Sequence, residues 1–447
     1  MSDIPLAPVE STQVIQDRVL DPYLKDNITI GLISSHKIKL PPSKEPSGVD
    51  KEFVFQFPQI PDYVDLKAVE LYVRGSLKKS ATEDLAATEA KQDEAAVVNN
   101  ALHSLFDPVM IRAGCNQEKI FETMRPQKAY IRQLLTMKNC NSSDLQTHGY
   151  KSDYRLSLDG AYINDIASMG FKVSWYQASR QVEFCAPTLL DFFQTDGYLP
   201  PNTPMQLTYR MSTPDQYLVV DPSIKDDMKD GYFKIDEILL YIPVMKINPA
   251  LAPYMESLTE KEPARYRFDS IDCRQYTISN EMQSKFINKV YNGGKIPQKF
   301  LIAVYEQSAL IGDRSVSNLF TSTLINVEQI RVYVNGSLVR EFTADFENSL
   351  YTQSFKDCIN WFQASEKDHT LDYGSFKGGH RYFAIDLMEG CETRSCEPNL
   401  LQSGFVDVEV KFRERLTTTA VLLVYGISPD TLDIDSSRSC RLTRTVQ

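Results

Sequence analysis

The chain has 447 residues and a mass of 50.9 kDa, enough for about two to three domains with cores of their own. It is 42% hydrophobic and 24% charged, with a net charge of -11 and pI near 5.2, which argues against a surface that neutralises many phosphates or reads nucleic-acid sequence. No window approaches the roughly 20 apolar residues of a membrane span, and the opening residues lack the basic and apolar regions of a signal peptide.

Residues 1–50 read as an N-terminal arm. Pro41, Pro42, Pro46 and Gly48 break regular structure, and Ile28, Ile30, Leu32 and Ile33 offer one short strand that could dock elsewhere. Phe53, Phe55 and Phe57, then Val69, Leu71 and Val73, alternate with polar residues as in strands with one buried face. Residues 78–100 shift to Ala, Asp, Glu, Lys and Asn, the composition of an exposed insertion between strands. Val109–Ala113 reads as a strand and Thr123–Met137 as a short helix. Strands at Ser168–Trp175 and Gln181–Ala186 follow, with a turn at Ala178–Arg180. Met205, Leu207, Tyr209 and Met211 alternate before a short strand at Tyr217–Val220. The charged run Asp221–Asp230 is the expected boundary, giving a first module over 51–225.

The second module is expected over 231–436, with a tail at 437–447. It opens on Ile238–Ile247, an apolar strand that Pro243 marks as an edge or a bend. Strands at Phe268–Ile278 and Phe300–Tyr305 flank Asn292-Gly293-Gly294, read as a turn. Val327–Val334 runs into Asn335-Gly336, the strongest tight-turn dipeptide in the chain. Asp345–Phe362 reads as a helix and Tyr382–Leu387 as a strand. Val406, Val408, Val410 and Phe412 then alternate with charged residues, before the almost wholly apolar Ala420–Tyr425. Each half closes on an alternating strand, a polar link and an apolar strand. The pattern is all-β: two antiparallel sandwiches in tandem, with short helices in loops.

Chemistry is sparse. Gly293-Gly294-Lys295 lacks the spacing and following Ser or Thr of a phosphate loop, and no Gly-x-Ser-x-Gly elbow occurs. The five histidines form no metal-ligand spacing, and Cys391 and Cys396 have no second pair nearby. The eight cysteines read as reduced thiols. Asp386, Glu389 and Glu392 read as a solvated acidic loop; Arg381, Arg394, Arg413 and Arg415 read as surface charge, with subunit contact as the other reading. No catalytic, cofactor-binding or metal-ligating residue is assigned, and no cofactor is expected.

Val98-Asn99-Asn100-Ala101-Leu102-His103-Ser104-Leu105-Phe106 resembles a segment of the major capsid proteins of Polinton-type elements and adintovirus-like DNA viruses. That segment also occurs in related nucleocytoplasmic-virus capsid proteins. Ile247–Leu251, Ile330–Gly336 with Ala344–Tyr351, and Gly379–Leu387 followed by Val406–Val424 and Asp433–Asp435 are similar to later segments of the same family, in the same order. Together they span about 50 to 436. The chain departs from the family at Glu389–Asn399 and at Met124–Tyr130, which bears on the branch and not the fold.

The resemblance implies a double jelly roll of two eight-stranded sandwiches, a hexon-like homotrimer of pseudo-hexagonal outline, and an icosahedral shell. It also implies contacts with neighbouring capsomers, penton and minor capsid proteins. It places the chain in the virion, after synthesis in the host cytoplasm, with the nucleus as a site of assembly. The expectation is thus a non-enzymatic capsid subunit. The alternatives are a ligand- or glycan-binding tandem sandwich and, after it, a hydrolase on that scaffold.

Overall fold

The computed structural model describes residues 32–47, 50–86, 95–115, 120–136, 142–150, 154–156, 162–164, 173–220, 226–249, 251–312, 325–362, 373–387 and 403–443. In chain order the first half carries β1 (Leu32–Leu40), β2 (Glu52–Gln56), β3 (Tyr63–Val64), β4 (Glu70–Lys78), β5 (Ala95–Val97), β6 (Phe106–Ala113) and β7 (Ile120–Met124). It continues with β8 (Tyr154–Leu156), β9 (Tyr162–Asn164), β10 (Gln181–Pro187), β11 (Met205–Met211), β12 (Leu218–Val220) and β13 (Tyr232–Ile247). The second half carries β14 (Ala264–Ile278), β15 (Ser284–Lys295), β16 (Lys299–Glu306), β17 (Val327–Val334) and β18 (Ser337–Thr343). It ends with β19 (Phe383–Asp386), β20 (Ser403–Phe412), β21 (Ala420–Ile434) and β22 (Cys440–Thr443).

The first half pairs its strands as β1-β13-β4-β10 and β2-β11-β6-β7; the second as β14-β21-β16-β19 and β15-β20-β17-β18. Place for place, the two orders are the same. The first strand lies beside the last and the second beside the next to last, the jelly-roll order. Inner faces form the cores. Phe53 and Phe55 meet Phe106 and Tyr209 edge to face in the first. In the second, Val406, Val408, Val410 and Phe412 are all buried, as their alternation requires.

This order moves the boundary. The expected break at 221–231 falls inside the first jelly roll, because β13 pairs with β4 and β1 there. The counterpart of β21 is therefore β13, and β12 pairs with the small strand β5 instead. The helix Ala252–Lys261 links the halves. Pro243 is tolerated in a central strand because partners change on one side there: Tyr241 pairs with Glu70 of β4, and Val244 with Val64 of β3. Residues assigned to the arm and the tail also form sheet: β1 lies along β13, and β22 along β21.

Four local expectations are corrected. Residues 95–100 of the supposed insertion are buried, with β5 paired to β12. Residues 173–176 are helical, not extended. Asn292–Gly294 is an irregularity within β15, with Gly293 at φ 76, not a turn. The helix expected over Asp345–Phe362 is Thr352–Phe362 alone. The tight turn is where the dipeptide places it: Asn335 and Gly336 sit at φ 52 and 80 and join β17 to β18.

Candidate functional site

The most buried ion pairs among the described residues lie where the two jelly rolls meet. The helix Pro126–Thr136 presents Lys128 and Arg132, four residues apart and so on one side. Glu122 comes from β7, and Asp191 from the turn entering the 3-10 segment Phe192–Gln194. Lys128 Nζ lies 2.9 Å from Glu122 Oε1 and 2.6 Å from Asp191 Oδ2, and Arg132 pairs with Asp191 Oδ1. Glu122 also accepts the backbone N–H groups of Asp191 at 2.8 Å and Phe192 at 3.2 Å, which fixes the turn.

Two bonds run from this cluster to the second jelly roll. Ile271 N donates to Asp191 Oδ2 at 2.8 Å, and Arg132 Nη2 donates to the carbonyl of Asp269 at 2.6 Å. Both partners belong to β14, the end strand of its sheet. The ion pair thus stands in for a neighbouring strand over this length of edge. Around it Phe192 packs edge-on to Phe268 and Tyr266, Tyr266 donates to the carbonyl of Tyr198, and Arg438 donates to that of Pro201.

Burial pushes the Asp191 carboxyl up, but Lys128 and Arg132 outweigh it and hold it below the usual range. Burial lowers Lys128, and the two carboxylates more than reverse that. Burial and the charge of Asp191 raise Glu122. Each carboxylate is occupied by cations and N–H donors. The arrangement fastens two modules and holds no free base for catalysis.

Beside the cluster lies a cavity of about 640 Å³ between β6 and β7 on one side and β14 and β21 on the other. Ile111, Phe192, Phe268 and Leu432 give it apolar walls, and Arg125, Gln127, Ser428 and Arg274 polar ones.

The residues singled out in sequence do not converge. Arg381, expected at the surface, is buried. Its guanidinium lies 4.0 Å from the Phe346 ring centroid, and it donates to the carbonyl of Ile325 at 2.7 Å and to Asn326 Oδ1 at 3.1 Å. Arg413 pairs with Asp345 and Glu347, while Arg415 is exposed. His103, His148 and His380 are buried apart from any metal-ligand group, and none is found among the described residues. Cys391, Cys396, Arg394, Glu389, Glu392 and His369 lie outside the described residues. The junction residues were missed. Their one sequence signal is that Lys128 and Arg132 stand four apart on a short helix beside the apolar Ala129, Tyr130 and Ile131.

No family model matches the chain, and no curated protein matches it. Solved structures do. The mavirus major capsid protein aligns over 100% of this chain and 96% of its own, with TM-score 0.58 and 12% identity. A chain of the Sputnik virophage structure aligns over 100% and 95%, with TM-score 0.57 and 14% identity. The Faustovirus major capsid protein aligns over 94% and 93%, with TM-score 0.53 and 9% identity. The chain shares with them the double jelly-roll fold.

Proposed function

We propose that this chain is the major capsid protein of a DNA virus or Polinton-type element, a structural subunit and not an enzyme. The observation that carries the reading is the sixteen-strand plan. Two eight-stranded jelly rolls of the same strand order fill the chain from β1 to β21, and capsid proteins of similar length align along nearly all of it. Two sandwiches of one plan supply two similar corners, so three chains close a pseudo-hexagon and leave no free end. Such capsomers tile an icosahedral shell, meeting neighbouring capsomers and, at special positions, penton and minor capsid proteins. The place of action is the virion, with synthesis in the host cytoplasm and assembly in the nucleus. The junction supports the same role, since a wall unit needs its two corners held in fixed relation.

Light scattering on the purified chain tests this. The expected mass is about three times 50.9 kDa, with little dissociation on dilution. A mass of one chain at every concentration contradicts the assignment.

A further inference from the structure

The groove between the jelly rolls is bordered by two strands that each end their sheet, β7 and β14. Six consecutive residues of β14, Ser270 to Gln275, line it. Along an antiparallel strand, alternate residues turn their N–H and C=O outward. The capped groups identify the outward set: Asp269 through its carbonyl and Ile271 through its N–H. The next outward residues, Cys273 and Gln275, have no such cap among the described residues, and β14 pairs with β21 through this length without a register shift. The ion pair closes one part of the edge, and no described strand pairs with the adjoining part.

The walls carry unmet polar groups of their own. Gln127 Oε1 and Ser428 Oγ have no hydrogen-bond partner among the described residues, although their residues are only 8% and 4% exposed. An orphaned buried acceptor is costly unless something donates to it. Arg125 is exposed and lines the same groove, and its guanidinium forms no ion pair or hydrogen bond among the described residues, whereas Arg274 is held by Asp272. The volume is that of a ligand site.

We propose that this groove is a docking site for an extended peptide segment of a partner protein. The segment adds as a strand to the free edge of β14 and sets an acidic group against Arg125. Main-chain bonds to Cys273 and Gln275 supply the pairing, Gln127 takes a donor from the peptide, and Ile111, Phe268 and Leu432 receive its apolar side chains. The site is built within one chain and does not depend on shell formation.

Random octapeptides with free C-termini, displayed and selected against the purified full-length oligomer, provide the probe. Enriched peptides should combine alternating apolar residues with an acidic group. Their binding should weaken at least tenfold on Arg125→Glu, an exposed change that leaves the oligomer mass unaltered. Amide deuterium exchange at Cys273 and Gln275 should slow when they bind. No enrichment overturns the proposal, as does binding that ignores Arg125→Glu or leaves those two amides unprotected. Amides already protected in the free oligomer also overturn it, since a second copy then covers the edge. Mass measured on the same samples keeps this separate from the capsid assignment: a trimer that binds no peptide removes the docking site alone.

Discussion

Removing the Asp191 carboxylate tests how the two jelly rolls are joined. Asp191→Ala leaves Lys128 and Arg132 buried with Glu122 as their one remaining carboxylate, and leaves the N–H of Ile271 without its acceptor. Breaking a buried pair costs about 3–5 kcal/mol, and an orphaned N–H about 1–3 kcal/mol. Lys128 keeps Glu122, and Arg132 keeps the Asp269 carbonyl, so the expected loss is toward the lower end of that sum, about 4–5 kcal/mol. Asp196→Ala is the control. Its pair with Lys67 is open to water, with the Asp196 side chain 91% exposed, and should contribute less than about 1 kcal/mol. The chain has two tryptophans, Trp175 in the first jelly roll and Trp361 in the second. Single-tryptophan variants therefore report urea unfolding of each half, at fixed protein concentration because assembly adds to stability. Asp191→Ala should lower both midpoints and separate transitions that coincide in the parent. A shift no larger than that of Asp196→Ala, with the halves still unfolding together, would refute the view that this cluster fastens them.

Within β20, Val408→Asp places a charge in the second core and should cost several kcal/mol, read as a drop in the Trp361 midpoint. Asp407→Ser should not be silent, because Asp407 Oδ1 accepts the N–H of Lys289 at 2.6 Å where β15 bulges at φ 53; about 1–2 kcal/mol is expected. Burial pushes His103 down to about 3 and His148 to about 4, so both are neutral in the fold and bind protons more readily when unfolded. Their stabilisation is complete above pH 6.5 and erodes as pH falls toward 4, by about 1.4 kcal/mol per pH unit for each histidine. Urea midpoints across that window should fall less steeply for His103→Gln, and an unchanged slope would contradict the assignment.

Much of the β architecture was legible because a strand with one buried face writes its register into every second residue. β20 is the clearest case: Val406, Val408, Val410 and Phe412 are all buried, as the alternation requires. Asn335-Gly336 was legible for a local reason, since two residues with positive φ favour this pair. The boundary was not legible, because a charged run between two strands of one jelly roll has the composition of a linker. Only the pairing of β13 with β4, more than 150 residues earlier in chain order, shows which side it belongs to. Asn292–Gly294 shows the same limit, as glycines serve a bulge and a turn alike. The junction cluster was hidden for a third reason. Glu122, Lys128 and Arg132 lie close in sequence, but Asp191, which completes the balance, arrives on another turn and shows no spacing to them.

Electron microscopy of the purified chain tests the central claim most directly. Negatively stained particles should classify into one population with threefold symmetry and a hexagonal outline, six similar corners arising from three chains of two jelly rolls each. Two-lobed particles of single-chain size, or closed rings of any other symmetry, would contradict it.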